Sequence, residues 1–573
     1  MFYKLSLFFG IADEIAFNED DEESENGEDG DEDEDEESDV AATGLGMKAK
    51  DGTQWAATPS SEHQVERRNI VRERCGPHRN TSMLSVLDTF KLFFTPEMAD
   101  IIIRHTNKKA ISTYTAYNEK NSDKKQLVWK NLELQEFYAF LAILITSGAN
   151  NSNTDNAKDM WQTYSYPLYR AAMSINRFWN IIRFIRFDDA NTRAERMETD
   201  KAAPIRDIWT MLNSNLAKHY KPTEYLTIDE QLYPYRGRTR FTQYIPSKPA
   251  KYGIKVWWIC DAENSYPLTG QLYTGKSSEG REKNVGERVV KDLVAPYKGS
   301  GRNITMDNYF TTLPLAKSLL SWNLTIVGTL KKNKAYIPPA MAASKTREEL
   351  STVFGFHEKI TMCSYVPKIK KVVIMLSSMH NEAKISDKAK KKPEIIEFYN
   401  WSKAGVDTMD KMLGRYTTKR STQRWPLSFF YNILDVACLA AYILYYENNK
   451  MLVKKSYERR LFYRQLGREL CTPFVENRSQ NPQIMRHFST KVAIESFLGR
   501  AINPYVQPTT PGSSRPQTQR DSTGRKKITG VCYTCLQSEF KKRRKTRKIC
   551  SVCENPICDE HCITTATCEG CAT

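Results

Sequence analysis

The sequence predicts an α/β protein in which a sheet-and-helix domain is set between two helical stretches and followed by a separate cysteine module. Three observations carry this. Apolar residues recur every three or four positions to about residue 205 and again after 400, whereas short β-branched and aromatic runs dominate between. Eight of the 13 cysteines fall in the last 42 residues, with Cys75, Cys260, Cys363, Cys438 and Cys471 scattered before them. A disulfide-framed secreted domain spreads its cysteines differently, so the cluster points to a metal site in a reducing compartment. Finally, Asp13 to Asp39 hold 18 acids and no base, while beyond residue 40 there are 83 bases against 50 acids. That excess calls for a polyanionic partner, nucleic acid or an anionic membrane surface.

In chain order, residues 1–84 combine the acidic run with almost no periodic apolar pattern and are expected to be disordered. The tract either recruits a basic partner, shields the chain's own cationic surface, or is a solvated tail. The apolar start FYKLSLFFG is short, lacks a small-residue cleavage site and runs into acids, so no signal peptide is expected. LDTFKLFFTPEMADIIIRHTNKKA, LELQEFYAFLAILITSG and INRFWNIIRFIRFDD read as helices. Then the order becomes strand (254–261), strand (268–274), helix (283–297), strand (302–307), helix (313–322), strand (324–330), one sheet with helices packed on it. Residues 335–395 are less regular and read as an insertion. After 400 the pattern is helical to 500. Within it, residues 427–446 are long enough to span a bilayer, but Asn432 and Asp435 favour a buried helix and no membrane partner. Residues 501–527, rich in Pro, Gly, Ser and Thr, are a linker before the module at 528–573.

Asp261 and Asp307 each close a predicted strand, where a carboxylate is fixed by the sheet yet reaches solvent. Asp407 and Asp410 share a face if AGVDTMDKM is helical. Brought together, such acids can hold two Mg²⁺ ions about 3.5–4 Å apart for phosphodiester chemistry. Singly, an Asp after a strand is more often a turn former or helix cap. The coincidence of three in one α/β domain strengthens the metal-nuclease reading, although spacing alone does not make it the leading one.

TIDEQLYPYRGR, IPSKPAKYGIK, CDAENSYPLTGQLY, NITMDNYFTTLPLAKSLL, LTIVGTLKKNK, YNWSKAGVDTMDKM and RWPLSFFYNILDVACLAAY closely resemble the corresponding stretches of piggyBac-type DNA transposases, in the same order from about residue 85 onward. The resemblance implies a retroviral-integrase-like RNase H fold with a DDD site on Asp261, Asp307 and Asp407, an additional aspartate at Asp410, and Mg²⁺ as cofactor. It implies nicking at element ends, hairpin formation and strand transfer into TTAA sites. It also implies a helical dimerisation and DNA-binding domain split as 85–255, with the first catalytic strand near its end, and 417–500. Between these lie catalytic segments 256–334 and 396–416, with the insertion 335–395. A homodimer acting on double-stranded DNA follows. The alternative is a domesticated descendant that binds DNA as a regulator without transposing.

YPYRGRTRFTQYIPSKPAKYGIK offers Arg236, Arg238, Lys251 and Lys255 interleaved with tyrosines, either a DNA-contacting stretch or a solvated strand edge. Lys419, Arg420 and Arg424 after Asp410 suit a clamp on DNA. In the last module Cys532, Cys535, Cys550, Cys553, Cys558, His561, Cys568 and Cys571 form four closely spaced pairs, the eight ligands that two tetrahedral Zn²⁺ need. Cross-brace pairing, first with third and second with fourth, is expected. That raises the rival of a RING or PHD module, but the position of His561 resembles the piggyBac cysteine-rich domain, which implies recognition of terminal repeats. Lys541, Lys542, Arg543 and Arg544 open a basic run that reads as a nuclear localisation signal, a phosphate-binding loop or both, and either places the protein in the nucleus.

Overall fold

The computed structural model describes residues 46–59, 71, 73–246, 248–275, 284–342, 346–451, 459–502, 530–537, 543–546, 548, 550 and 555–562. The chain divides after Ile502 into two compact units. The acidic tract and the linker from residue 503 lie outside the described residues.

In the first unit nine strands form one sheet: β1 Tyr225–Pro234, β2 Thr242–Tyr244, β3 Tyr252–Asp261, β4 Pro267–Leu272, β5 Asn303–Met306, β6 Thr325–Thr329, β7 Thr352–His357, β8 Ile360–Lys368 and β9 Lys371–Ser377. Their order is β7-β8-β9-β6-β5-β1-β3, with β2 and β4 end to end along the outer side of β3. β5 and β6 run parallel to β1, and the other pairings are antiparallel.

The principal helices are α1 Val86–Phe93, α2 Pro96–Lys120, α3 Leu134–Ala149, α4 Ile175–Phe184, α5 Ala203–His219, α6 Val285–Val294, α7 Leu313–Ser321, α8 Glu394–Ser402, α9 Gly405–Arg415, α10 Trp425–Asn449, α11 Arg459–Ser479 and α12 Phe488–Leu498. The expected alternation from β3 through α6, β5 and α7 to β6 is present, because each crossover needs a helix to bring a parallel strand home. Helices and sheet share one apolar core. Trp209 on α5 joins them, packing at 5.4 Å against Trp258 of β3 and at 5.2 Å against Phe429 of α10. α10 is long and apolar enough to cross a membrane, but its apolar stretch is wholly buried in this core.

The strand expected near the end of the first helical part is β1, an interior strand of the sheet. Two expectations change. Residues 352–377 of the expected insertion add β7, β8 and β9 to the same sheet. Part of the segment expected to be disordered is ordered. Met47–Lys48 pairs with Gln54–Trp55, and Ala56 bridges Phe356 on β7 through backbone hydrogen bonds of 2.8 and 2.9 Å. Trp55 is fully buried, its indole donating to the Tyr336 carbonyl at 3.0 Å. A lone tryptophan in a polar stretch has no local periodicity to betray it, because its partners come from far along the chain.

Asp435, midway along α10, is 3% exposed and accepts hydrogen bonds from the Thr417 hydroxyl (2.6 Å) and the Thr418 amide (2.8 Å). Burial pushes its carboxyl up to about 7 against the pull of those bonds. The folded chain therefore holds a proton that the unfolded chain has already lost. This group's contribution is fully present below the unfolded value and is lost as pH rises to about 7, by at most ~4 kcal/mol. Asp435→Asn should flatten the fall in thermal midpoint over that window, as read by calorimetry at stepped pH.

Candidate active site and zinc centre

β1 and β5 are parallel with Ile228 opposite Met306. The next residue along each chain segment is an acid, Asp229 within β1 and Asp307 just past the end of β5, so the two stand side by side where β5 ends. Asp307 is turned by its own loop, its Oδ1 accepting the Tyr309 amide at 3.0 Å. Asp407 reaches the same place from α9. The helix is seated on β1 by a close approach at Gly405, where a Cβ would lie 2.6 Å from Thr227 Oγ1. Ser402, ending α8, fixes the corner: its carbonyl accepts the Thr227 hydroxyl (2.6 Å) and its hydroxyl meets that of Thr305 (2.8 Å). Asp410 lies on the same face of α9 as Asp407 and accepts Gln231 Nε2 at 2.7 Å. Gln231 is two residues from Asp229 on one face of β1 and is itself held by Trp258 (3.0 Å) and Asn432 (3.1 Å).

The electrostatics identify the gathering point. Burial, and then the Asp307 and Asp407 carboxylates, push the Asp229 carboxyl far above the usual range. Burial also raises Asp410, opposed by Gln231 and Lys248. Lys248 stands among these acids, its Nζ 3.9 Å from Asp407 Oδ1. Burial disfavours its charge, but the carboxylates of Asp229 and Asp407 overcome this and raise it. Gly405→Ala would push α9 off β1 at a cost of about 1–3 kcal/mol. A drop in thermal midpoint together with weaker divalent-cation binding is the expected reading.

Asp261 does not join this group. It pairs with Leu226, three residues back along β1 from Asp229, or about 10 Å toward the opposite end of the sheet. Its carboxylate is wholly buried and fully engaged, accepting the Thr223 amide (2.7 Å) and hydroxyl (2.8 Å), the Glu263 amide (3.0 Å) and the Tyr220 hydroxyl (3.3 Å). Burial raises its pKa and these bonds oppose the rise. Asp261 closes a turn, and the acid that stands beside Asp307 is Asp229.

In the second unit, described by itself, Gly530–Val531 pairs with Lys545–Thr546. Cys532, Cys535, Cys558 and His561 converge, with all four ligand atoms within 4.8 Å of one another. Cys535 and Cys558 sulfurs are 3.7 Å apart, and His561 Nδ1 lies 3.3–3.6 Å from the three sulfurs. Tetrahedral Zn²⁺ with Zn–S near 2.3 Å and Zn–N near 2.1 Å requires separations of about 3.8 and 3.6 Å. The first ligand pair thus joins the third, as expected. Of the second set, Cys550 is described, whereas Cys553, Cys568 and Cys571 lie outside the described residues.

Residues 86–442 match the family model described as Transposase IS4. The chain belongs to the piggyBac-type transposase family. It is similar to the human PiggyBac transposable element-derived protein 2, at 24% identity over 63% of this chain and 62% of that protein. The corresponding figures for human PiggyBac transposable element-derived protein 3 are 25%, 62% and 60%. The match spans about three fifths of the length of these curated relatives. Among solved structures, it is similar to a piggyBac transposase synaptic complex with hairpin DNA determined by cryo-EM, with a TM-score of 0.72, 34% identity, and coverage of 87% of this chain and all of that one.

The cations expected to meet DNA in this transposase-family chain sort into two groups. Arg236, Arg238 and Lys251 are exposed on the loops at the far end of β1 and β3, beside the ring pair of Tyr244 and Tyr252 (4.7 Å). The others are engaged internally. Lys255 pairs with Glu230 at 2.7 Å, both nearly buried. Lys419 donates to the Pro234 carbonyl but is only half-buried, and its ammonium has further hydrogens to donate into the hollow it lines. Arg420 donates to the Asp155 carbonyl at 2.7 Å, and Arg424 to the carbonyls of Ile182 (2.8 Å) and Ile185. Carbonyls at loop and helix ends attract guanidinium groups as phosphates do, and sequence does not distinguish them. In the second unit Arg543 is exposed, Arg544 pairs with Glu560, and Lys541 and Lys542 lie outside the described residues.

Proposed function

We propose that this chain cuts and joins DNA strands at the end of a transposable element, using Asp229, Asp307 and Asp407 with Asp410 as the acid set. The observation that carries the reading is the convergence of Asp307, Asp407 and Lys248 on Asp229 where β1 and β5 run parallel. The sheet order β4-β3-β1-β5-β6, three antiparallel strands followed by two parallel ones, supports the RNase H-like assignment of this core. The solved neighbour is a transposase complex with hairpin DNA, which supports duplex ends as the substrate.

The acids fit a divalent cation. Burial and then the Asp307 and Asp407 carboxylates raise Asp229, and a lysine ammonium already answers the concentrated negative charge. Asp229, Asp307 and Asp407 would hold Mg²⁺, with Asp410 fixed behind them by Gln231. When bound, two such ions supply Lewis-acid stabilisation of the attacking and departing oxygens of a phosphodiester. The chain's own groups do the positioning. Arg236, Arg238 and Lys251 hold phosphates of the incoming strand, and the Ser402 corner keeps Asp407 aimed at Asp229 and Asp307. Nicking followed by attack of the freed 3′-hydroxyl gives the hairpin, and transesterification at TTAA integrates the element. The sulfur and nitrogen spacing in the last module suits one Zn²⁺, and the second ligand set would take another in a module that recognises terminal repeats. A homodimer in the nucleus completes the reading.

A domesticated DNA-binding regulator is the second reading, favoured by relatives that are named as transposable element-derived. Purified chain, Mg²⁺ and DNA carrying the source element's own ends decide between them. Nicks and hairpins that disappear with Asp307→Ala support the enzyme. Binding without cleavage supports the regulator.

A further inference from the structure

The arginines that serve as internal struts also build a cleft. Arg420, 8% exposed, holds the loop at residues 152–160, and Arg424 caps the carbonyl end of α4. Asn153 Nδ2 donates to the Lys419 carbonyl at 3.3 Å. Residues 419–421 are thereby fixed between that loop, α4 and the end of β1. They border a cleft of about 620 Å³ walled by Trp179, Asn153, Asp155, Asn156, Ile182 and Tyr431. A second hollow of about 330 Å³, lined by Arg236 and Tyr252, shares Lys419 and Ser421 with it.

Trp179 is 45% exposed although its helix is pinned at both ends, by the Ser174 cap and by Arg424. A rigid helix presenting an uncovered indole is a preformed stacking surface. Around it stand amide and carboxylate groups suited to the polar edge of a base. The Asp155 carboxylate disfavours a phosphate there, whereas Lys419 and Arg236 in the adjoining hollow favour one. The volume suits a small ligand and excludes a duplex. The position also fits. Tyr431 walls the cleft, and its neighbour Asn432 bonds Gln231, which bonds Asp410. Lys419 meets the chain at Pro234, about 17 Å along β1 from Asp229.

We infer that this cleft binds one unstacked nucleotide of the DNA strand that passes the acid cluster, with its base against Trp179 and its phosphate toward Lys419 and Arg236. The inference rests on the strand-cutting reading for its choice of polymer. Its test uses the full chain with a labelled oligothymidylate and a blunt duplex of equal length, by fluorescence anisotropy. Trp179→Ala should weaken single-strand binding about 5- to 100-fold, and Trp179→Phe should restore it to within about threefold. Duplex affinity should change by less than about twofold. Thermal midpoints establish that both variants are folded. Wild-type affinity for the single strand in Trp179→Ala, equal loss on both DNAs, or no single-strand binding by the wild type overturns the assignment. The parent reading fails separately: wild type that binds through Trp179 yet never nicks element ends retains the cleft and loses the enzyme. Cleavage with no Trp179 effect does the reverse.

Discussion

Asp229→Asn should reduce Mg²⁺-dependent strand cleavage by about 10³-fold or more, which is ~4 kcal/mol of barrier, while the chain stays folded. The retained fold follows from the charge balance. Burial and the Asp307 and Asp407 carboxylates oppose ionisation of Asp229, so a neutral amide removes repulsion. The thermal midpoint of the metal-free variant should match or exceed that of the wild type, and calorimetric titration with Mn²⁺ should show weakened binding. Asp261→Ala is the contrasting case. It strips an acceptor from the Thr223 and Glu263 amides and two hydroxyls, at about 1–3 kcal/mol for each donor left buried without a partner. That variant should be strongly destabilised yet cleave normally per folded molecule at low temperature. If the two variants exchange behaviours, the placement of the active site at Asp229 is wrong.

Cys558→Ser should release one zinc per chain and unfold the second unit. The reason is scale: zinc supplies about 10–16 kcal/mol to small modules of this kind, whereas the described apolar core there is little more than three cysteines and Ile557. Zinc content by atomic absorption should fall by at least one ion per chain. Hydrogen exchange should lose protection over residues 530–537 and 555–562 while the first unit keeps its own. Unchanged zinc content would exclude Cys558 as a ligand.

Strand and helix order from β3 to β6 was legible because each element carries its own periodicity and turn residues. The cluster of Cys532, Cys535, Cys558 and His561 was legible because the spacing within each pair is local. Asp229 was not, since an acid between Ile228 and Glu230 reads as the solvent face of a strand; only the pairing of Ile228 with Met306 brings it beside Asp307. Asp261 misled for the complementary reason: a strand-end acid looks available, but Thr223 and Tyr220, which saturate it, arrive through tertiary structure. The same applies to Arg420 and Arg424. A dense run of cations announces affinity for oxygen, without saying whether that oxygen belongs to DNA or to the chain's own carbonyls.

The hairpin around Trp55 bears on how many copies of this chain can coexist. β7 is the outermost strand of a nine-stranded sheet, and an open outer strand is a template for pairing with another molecule's sheet. Ala56 occupies the β7 backbone at Phe356, and Trp55 locks it there. The opposite margin is divided between the short strands β2 and β4. Residues 46–59 therefore cover part of that edge, and a truncation made to remove the acidic tract should end before residue 46 to keep the cover in place.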